Sequence, residues 1–420
     1  MRGHRCHIFI APLLMALFAT ANAQELGSSL DELLGVARQQ NPALVSMRLE
    51  SAAAAERVES AGALPDPRLR TEWRDITRMG EQNPTLSPSG VGSTRYLLMQ
   101  DLPWAGKRDL KRQAAQSLAE AASGRVSNAG SELVAKIKTT YAQLYYLDQN
   151  ERLTREILDL MVRLEKVAQV RYAGGMAAQQ DVIRAQLEQT GMRNELIAMQ
   201  AERRQLQSRM NALLGRPPQE PLATPAQIRS LPAPASVSFA ALEPRVRAGN
   251  ALLRAEGAMV QAAEKGRDLA YRNRYPDFTV GVSPIQYGRS VREWEVMVEL
   301  NIPLQQASRR AQERESEAML AAARSRREDV VNQILADLYE NITGLESARQ
   351  VLELTTNNLL PQSQLTFQSA LVGYESGKVD FATLLDAQKQ IRQGRLNQAK
   401  AGVDAQMRIA EIERIVGEEQ

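Results

Sequence analysis

Apolar residues recur every three or four positions along most of this chain, which is the spacing expected of helices that pack side by side. One such run steps four and three residues at a time through Leu133, Ile137, Thr140, Leu144 and Leu147. A second run begins at Leu153, after the register slips by one residue. No proline occurs between Lys107 and Arg171, so the pattern predicts a continuous helix on the order of 100 Å long. A helix of that length suits a column better than a compact core.

The chain is a tandem repeat, because residues 202 positions apart match, as Tyr172 and Tyr374 do. The same spacing relates Gly175 to Gly377, Ala185 to Ala387 and Gly215 to Gly417. Each unit has a helix, an extended hairpin, a very long helix, a glycine break and a final helix. We predict a first unit at residues 24–216, with a β-hairpin at 68–102 and a helical hairpin at 105–215. A proline-rich linker follows at 217–237. The second unit is predicted at 238–420, with a β-hairpin at 277–302 and a helical hairpin at 305–416.

Short signals mark the helix ends. Ser29 and Glu32 have the spacing of a capping box at the start of the first helix. Pro361 predicts a kink or a break near Leu360 in the second long helix. Glycines at the ends of both long helices predict left-handed caps at the tips of the helical hairpins.

Strict alternation of apolar and polar residues predicts strands in the second unit. Trp294, Val296, Val298 and Leu300 alternate with Glu293, Glu295, Met297 and Glu299. A strand of about ten residues with one apolar face is typical of a membrane-spanning β-strand. A soluble antiparallel sheet gives the same pattern, so the alternation leaves both possibilities open.

The hairpin of the first unit is less regular. Leu69, Thr71 and Trp73 alternate with Arg68, Arg70, Glu72 and Arg74, whereas residues 96–102 are apolar on both faces. The tryptophans Trp73, Trp104 and Trp294 fall in or beside the strands. They suit either the aromatic belts of a membrane interface or ordinary core anchors.

If the four strands span a membrane, geometry favours three copies. An open sheet edge is not tolerated in lipid. Two copies would supply eight strands, whose barrel is nearly filled by its own side chains, whereas three would supply twelve and leave room for water. A homotrimer with a pore is the simplest solution.

The N-terminus has the three parts of a secretory signal peptide. Arg2 and Arg5 are basic, residues 8–18 are apolar, and Ala21-Asn22-Ala23 is a cleavage site, so we expect residues 1–23 to be removed. Cys6 lies in the basic part and not after the apolar run, so lipidation is not expected.

Composition excludes several kinds of chemistry. Without Arg2 and Arg5 the 52 basic residues become 50 against 49 acidic ones, so charge does not favour nucleic acid. His4 and His7, the two histidines, and the single cysteine fall within the predicted signal peptide. A Ser/His or Cys/His catalytic pair is therefore excluded from the exported chain, and we expect no enzyme activity, no cofactor and no metal-ligand cluster.

Several motifs resemble the TolC family of outer-membrane efflux proteins. They are Tyr172-x-x-Gly175-x5-Asp181-Val182-x2-Ala185-Gln186, Leu359-Leu360-Pro361-x2-Gln364 ahead of Tyr374-x2-Gly377, and Asn301-Ile302-Pro303-Leu304. Asn41-Pro42 and Leu64-Pro65-Asp66-Pro67 also fit. Each motif is weak alone, but their two-fold order covers nearly the whole exported chain. The segment from Gln100 to Arg108 is similar to the CzcC-like heavy-metal branch of this family.

The resemblance implies a mainly α fold with a small β part. Long coiled-coil helical hairpins in tandem would extend through the periplasm, and four strands per copy would contribute to a trimeric 12-stranded barrel in outer-membrane lipid. It also implies two partners, a periplasmic adaptor (membrane fusion) protein and an inner-membrane RND-type pump. The chain would be a passive exit duct, and the similarity to the CzcC-like branch implies a heavy-metal exporter.

The resemblance further implies site residues at the hairpin tips. Asp181, Tyr374 and Asp386 match a periplasmic gate, although Val379 stands where some members have an arginine. The adaptor would contact Gly174, Gly175, Met176, Gly377 and Lys378. Acidic residues in first helical turns and a packed tyrosine also have ordinary structural explanations.

In the barrel, Glu293, Glu295 and Glu299 would face the lumen and favour cations, unless Arg68, Arg70 and Arg74 oppose them. The principal alternative function is a periplasmic coiled-coil adaptor or scaffold without a pore. Adaptors normally carry one helical hairpin, whereas this sequence predicts two.

Overall fold

The computed structural model describes residues 26–417, so the predicted signal peptide, with Cys6 and both histidines, lies outside them. The first unit contains α1 (Leu30–Gln40), α2 (Pro42–Gly62), β1 (Arg68–Arg74), β2 (Ser93–Leu102), α3 (Lys107–Ala173) and α4 (Gln179–Leu214). The second contains α5 (Phe239–Gly249), α6 (Ala251–Arg272), β3 (Phe278–Tyr287), β4 (Ser290–Leu300), α7 (Gln306–Leu354), α8 (Leu360–Glu375) and α9 (Phe381–Val416). Between α4 and α5 the chain forms no α-helix or strand; it turns at residues 217–220 and has a 3-10 turn at Pro234–Ser236.

The long helix predicted from the heptads is present, since α3 is unbroken over 67 residues. It packs against α2 and α6 along one half and against α4 and α9 along the other. Gly124 permits the close approach of α6, because a Cβ there would lie 2.9 Å from the Cβ of Ala255. The helix therefore joins two bundles, one towards the sheet and one towards the hairpin tip.

Pro361 interrupts the second long helix without breaking it. A π-helical turn at Thr355–Leu359 joins α7 to α8, and Pro361 occupies the first turn of α8. A proline lacks the N–H that an α-helix needs four residues after a carbonyl. The wider π turn just before the proline accommodates the missing donor, so the disturbance lies a few residues earlier than Leu360.

The capping-box prediction at the first helix is wrong in its chemistry. Ser29 is the N-cap residue of α1, but its side chain makes no capping hydrogen bond. The neighbouring backbone is fixed by a tertiary contact, in which the Tyr141 hydroxyl donates to the Ser28 carbonyl at 3.2 Å.

Two buried asparagines lock the equivalent corners of the two units. Asn41 caps α2 through the Leu44 N–H at 2.9 Å, and its amide donates to the Leu213 carbonyl at 2.9 Å. Asn250 caps α6 at 3.0 Å and donates to the Ile415 carbonyl at 2.8 Å. Each side chain thus joins the start of one helix to the end of another. The repeat is therefore preserved in hydrogen bonds as well as in sequence.

Three hydrophobic cores lie within residues 26–417. One is formed by α1, α3 and α4 around Ile137 and Leu214, and its equivalent is formed by α5, α7 and α9 around Leu338 and Ile415. The third core, around Phe381, belongs to both units and lies towards the tips.

The extended linker is fastened to both units by a buried ionic cluster. Lys138 of α3 donates to Glu413 of α9 at 2.6 Å, and Arg229 of the linker reaches the same carboxylate at 2.8 Å. Only 6% of the Lys138 side chain is exposed. Burial raises the pKa of Glu413, but the hydrogen bonds from Arg229 and Lys138 outweigh it and hold the pKa below its ordinary value.

The strands form a single antiparallel sheet in the order β1-β2-β3-β4. Strands β2 and β3 come from different units and pair with Leu102 opposite Phe278 and Asp101 opposite Thr279. The sheet therefore joins the two units, and its outer edges are β1 and β4.

Among the helices between residues 26 and 417, none combines the length and apolarity needed to cross a bilayer.

Candidate functional site

The hairpin tips have the same backbone in both units. The N–H of Met176 donates to the Arg171 carbonyl at 2.8 Å, and the N–H of Lys378 donates to the Gly373 carbonyl at 2.8 Å. These six-residue closures are the Schellman motif, which places a left-handed residue just after the helix. Gly175 (φ 69°) and Gly377 (φ 78°) occupy that position, as the sequence predicted. The proposed adaptor contacts Gly174, Gly175, Met176, Gly377 and Lys378 are exposed at these turns.

Arg171 connects the two tips. Its guanidinium donates to the carbonyls of Tyr374 and Glu375, both at 2.7 Å, and to the Met176 carbonyl at 3.3 Å. It also lies over the Tyr374 ring, 4.9 Å from the centroid. At the end of α8 the Tyr374 carbonyl also accepts from the Gly377 N–H at 3.0 Å, so the cation from α3 adds a charged donor at the negative end of the helix. Sequence analysis missed Arg171, because its partners lie about 200 residues away.

Tyr374 and Asp181 are brought together, as the gate prediction requires. Tyr374 is 2% exposed and packs on Phe381, with ring centroids 5.2 Å apart. Its hydroxyl makes no hydrogen bond within the described part of the chain, although the Asp181 carboxylate faces it. Burial, followed by the negative charge of Asp181, raises the pKa of Tyr374. A buried hydroxyl facing a carboxylate is poised to donate to it.

Asp181 lies in the first turn of α4 and is half-buried. Burial raises the pKa of Asp181, and the charge of nearby Asp380 adds to this, whereas Arg184 acts in the opposite sense. Asp380 is itself the N-cap of α9 and accepts from the Thr383 N–H at 2.9 Å. Neither Asp380 nor Arg184 was expected from the sequence.

Asp386 is separate from this cluster. It is exposed on α9 and makes no hydrogen bond or ion pair with another residue between 26 and 417. Its assignment to the gate stays a prediction. Val379, where some members of the family have an arginine, packs against Gly373, since a Cβ on that glycine would lie 2.6 Å from a Val379 methyl group.

The sheet has one apolar face and one charged face. Opposite residues of antiparallel strands share a face, so the register assigns Leu69, Leu98, Val282 and Val296 to the apolar side and Arg70, Arg95, Glu295 and Glu299 to the polar side. The apolar side is open, with Val296 80% exposed. The apolar residues of β2 that lie on the polar face, Leu97 and Met99, are buried, which explains why that strand is apolar on both faces.

Of the three carboxylates predicted to face the lumen, one forms an ion pair with an arginine of the same sheet. Arg95 of β2, which sequence analysis overlooked, pairs with Glu295 at 2.8 Å. Arg68 instead pairs with Asp101 at 2.7 Å. Glu293 accepts from the Tyr287 hydroxyl at 3.3 Å, and Glu299 makes no ion pair within residues 26–417.

The segment from Gln100 to Arg108 forms the joint between sheet and helices. Trp104 stacks between Tyr275 and Phe278, with centroid distances of 5.0 and 5.6 Å. Lys107 is 5% exposed. Its ammonium donates to the Asp277 carboxylate at 2.8 Å and to the Tyr275 carbonyl at 3.0 Å. Trp104 is thus half-buried and packs within this joint, whereas Trp73 and Trp294 are 42% and 70% exposed.

Residues 33–216 and 243–418 both match the family described as outer membrane efflux protein. The chain belongs to this family.

Related proteins agree with this assignment. The efflux protein is 23% identical over 369 residues to the cobalt-zinc-cadmium resistance protein CzcC of Cupriavidus metallidurans, covering 86% of this chain and 83% of the relative. Its fold is similar to that of CusC, with a TM-score of 0.81, 16% identity and coverage of 100% and 99% of the two chains. It is also similar to the outer-membrane channel OprN, with a TM-score of 0.78, 21% identity and coverage of 94% and 93%.

Family membership confirms the principal sequence predictions. The resemblance to outer-membrane efflux proteins is correct, as is the mainly α fold with tandem helical hairpins and four strands. The protein is a channel component of an outer-membrane efflux system and not an enzyme. The alternative of a periplasmic scaffold without a pore is wrong.

Proposed function

We propose that this efflux protein is a homotrimeric exit duct whose three sheets close a 12-stranded barrel in the outer membrane. The observation that carries the proposal is the sheet itself. It has an exposed apolar face, a charged face and two open edges, and it stands at one end of helices on the order of 100 Å long. In lipid an open edge must be paired, and pairing between copies satisfies it.

The helical hairpins then extend into the periplasm, and their tips meet a periplasmic adaptor protein and an RND-type pump in the inner membrane. The turns at Gly174–Met176 and Gly377–Lys378 offer exposed backbone and the 64% exposed Met176 side chain to such a partner. We also propose that residues 1–23 are a cleaved signal and that the mature N-terminus carries no lipid.

The gate in this proposal is the tip cluster of Asp181, Tyr374 and Arg171, with Asp386 repeated three times around the axis. Arg171 binds main-chain carbonyls of the other hairpin. Some members of the family have an arginine at the position of Val379, and in this chain Arg171 supplies the cation at the tip instead. Opening requires the second hairpin to move away from the first and to leave this guanidinium.

We propose heavy-metal cations as the exported substrate. The similarity to a cobalt-zinc-cadmium resistance protein and the joint built from residues 100–108 support this choice. Glu293 lies on the polar face, accepts from the Tyr287 hydroxyl at 3.3 Å and makes no ion pair among residues 26–417, and three copies of such a carboxylate in a lumen attract cations.

The first experiment is to purify the protein from outer membranes in detergent, measure its mass and record its conductance in planar bilayers. A trimer with cation-selective currents supports the duct, and a monomer without conductance rejects it. A deletion strain should lose resistance to cobalt, zinc or cadmium salts while keeping its resistance to drugs. The opposite pattern would reject the metal substrate but leave the duct intact.

A further inference from the structure

The two open edges of the sheet carry opposite charges on the same face. On the polar face, β1 presents Arg68, Arg70 and Arg74, and β4 presents Glu293, Glu295 and Glu299. Arg70 and Arg74 are 62% and 58% exposed and reach a carboxylate only at 3.7 and 4.0 Å, both in Glu72. The charged side chains of the sheet that lack a close ion pair among residues 26–417 therefore lie on its two outer strands.

The internal repeat provides a template for joining these edges. The joint between β2 and β3 already connects the end of one hairpin to the start of the next. Leu102-Pro103 stands at the end of β2, and Ile302-Pro303 follows β4. These two dipeptides are equivalent in the repeat and lie 200 positions apart. Strands β1 and β3 begin beside equivalent aspartates, Asp66 and Asp277. An equivalent joint between two copies therefore has a defined register.

We propose that β4 of one protomer pairs with β1 of the next in the register of the β2–β3 joint, so that Glu299 faces Arg70 and Glu295 faces Arg74. The template pairs Met99 with Gly281, and the equivalent positions are Glu299 and Arg70. This inference rests on the proposed trimeric barrel and adds the contact that closes it. The partner that fits this edge is a second copy of the same chain.

The apolar face agrees with the same register. It pairs Leu300 with Leu69, Val298 with Thr71 and Val296 with Trp73. Val298 and Leu69 are 62% and 68% exposed in the single chain. The register therefore sets apolar and β-branched side chains opposite one another, a favourable type of cross-strand pair.

Neighbouring registers are worse for a specific reason. A slip of one residue brings apolar side chains to the polar face. A slip of two residues in either direction places Glu295 or Glu299 opposite Glu72, and like charges directly opposite are destabilising. Among these alternatives, the template register avoids every such pair.

Introduced cysteines test the register directly. Cys6, the single cysteine of the sequence, lies within the predicted signal peptide, so the background is free of thiols after cleavage. Directly opposite residues are close enough for a disulfide, whereas diagonal ones are about 7–8 Å apart. We expect the double variant Val298→Cys/Thr71→Cys to form covalent trimers on oxidation at least tenfold faster than Val298→Cys/Leu69→Cys or Val298→Cys/Trp73→Cys.

Charge reversal provides a second test. Glu299→Arg should reduce the fraction of assembled trimer at least tenfold, and adding Arg70→Glu should restore it. Cross-linking of a shifted pair in a conducting trimer, or failure of the reversed pair to restore assembly, would overturn the register while leaving the channel in place. A monomer without conductance would instead reject the proposed function and this joint together.

Discussion

Replacing Arg171 by methionine should open the gate. Methionine keeps an unbranched apolar stem but removes the guanidinium that bonds the Tyr374 and Glu375 carbonyls at 2.7 Å. It also removes the cation above the Tyr374 ring. The Tyr374 carbonyl would keep the bond from the Gly377 N–H at 3.0 Å, but both carbonyls would lose their charged donor.

The size of the effect follows from the burial of the acceptors. A hydrogen bond to a charged group stabilises a structure by about 1.5–3 kcal/mol, and this stabilisation is lost when the group is removed. Glu375 is exposed, so water will replace part of the loss at its carbonyl, and we take about 2 kcal/mol for the whole guanidinium. If Arg171 holds only the closed state, that energy corresponds to an increase of about 30-fold in the ratio of open to closed channels.

Single-channel recording in planar bilayers measures this ratio. Arg163→Met is a matched control, because Arg163 is exposed eight residues earlier on the same helix and makes no hydrogen bond or ion pair among the described residues. Arg171→Lys should open the channel less than methionine, since it keeps a charge without the planar fork. Equal open fractions in Arg171→Met and Arg163→Met would refute the assignment of Arg171 to the gate.

Three further predictions concern pH and stability. Since the pKa of Asp181 is raised by burial in the folded tip, the tip binds a proton more tightly than the unfolded chain and gains stability as pH falls. If opening exposes Asp181 to water, conductance should decline with acidification, and Asp181→Asn should remove that decline. Glu413→Gln leaves the Lys138 ammonium without its closest partner and should lower the free energy of unfolding by about 3–5 kcal/mol, measured by denaturant titration. The wild type should lose stability as pH falls from the ordinary glutamate pKa through the lowered pKa of Glu413. Asn41→Ala and Asn250→Ala each remove a cap and a buried hydrogen bond, so each should cost about 2 kcal/mol in the same titration, and the costs should add because the sites belong to separate cores.

Each of these predictions has a control and a contrary outcome. Glu156→Gln removes a carboxylate that is 67% exposed beside Arg395 and should change stability by less than about 1 kcal/mol. If Glu413→Gln costs no more than this control, the buried cluster does not stabilise the linker. A conductance that rises on acidification would contradict the sign given for Asp181. A strongly non-additive asparagine double variant would mean that the two corners are coupled.

Features that depend on neighbouring residues were predictable from the sequence. Heptad spacing predicted α3, glycine placement predicted the left-handed turns at Gly175 and Gly377, and alternation predicted β4. These patterns succeed because helices and strands repeat with fixed periods that local side chains reveal.

Contacts between distant residues were not predictable in the same way. Arg171, Arg95 and Lys138 each bond a partner more than 180 positions away, and in isolation each resembles an ordinary basic residue on a helix or strand. At Ser29 the local motif correctly predicted where α1 begins, but the Ser29 side chain does not make the expected capping hydrogen bond. The Asp181–Tyr374 proximity was accessible through the motifs that resemble the TolC family, because those motifs place both residues at the hairpin tips.

The π turn also solves a problem of unequal lengths. From Pro103 to Tyr172 the first unit advances 69 residues, whereas from Pro303 to Tyr374 the second advances 71. Both helical paths begin at the same sheet and end at the same height along the column, since Arg171 at the end of one contacts the backbone of Tyr374 at the end of the other. The turn at Thr355–Leu359 closes its hydrogen bonds over five residues instead of four, so it takes up surplus chain without lengthening the column. Two helical paths of different residue count thereby become closer in reach, and part of the surplus is accommodated by a local widening of the longer path, nearer to Tyr374 than to Pro303.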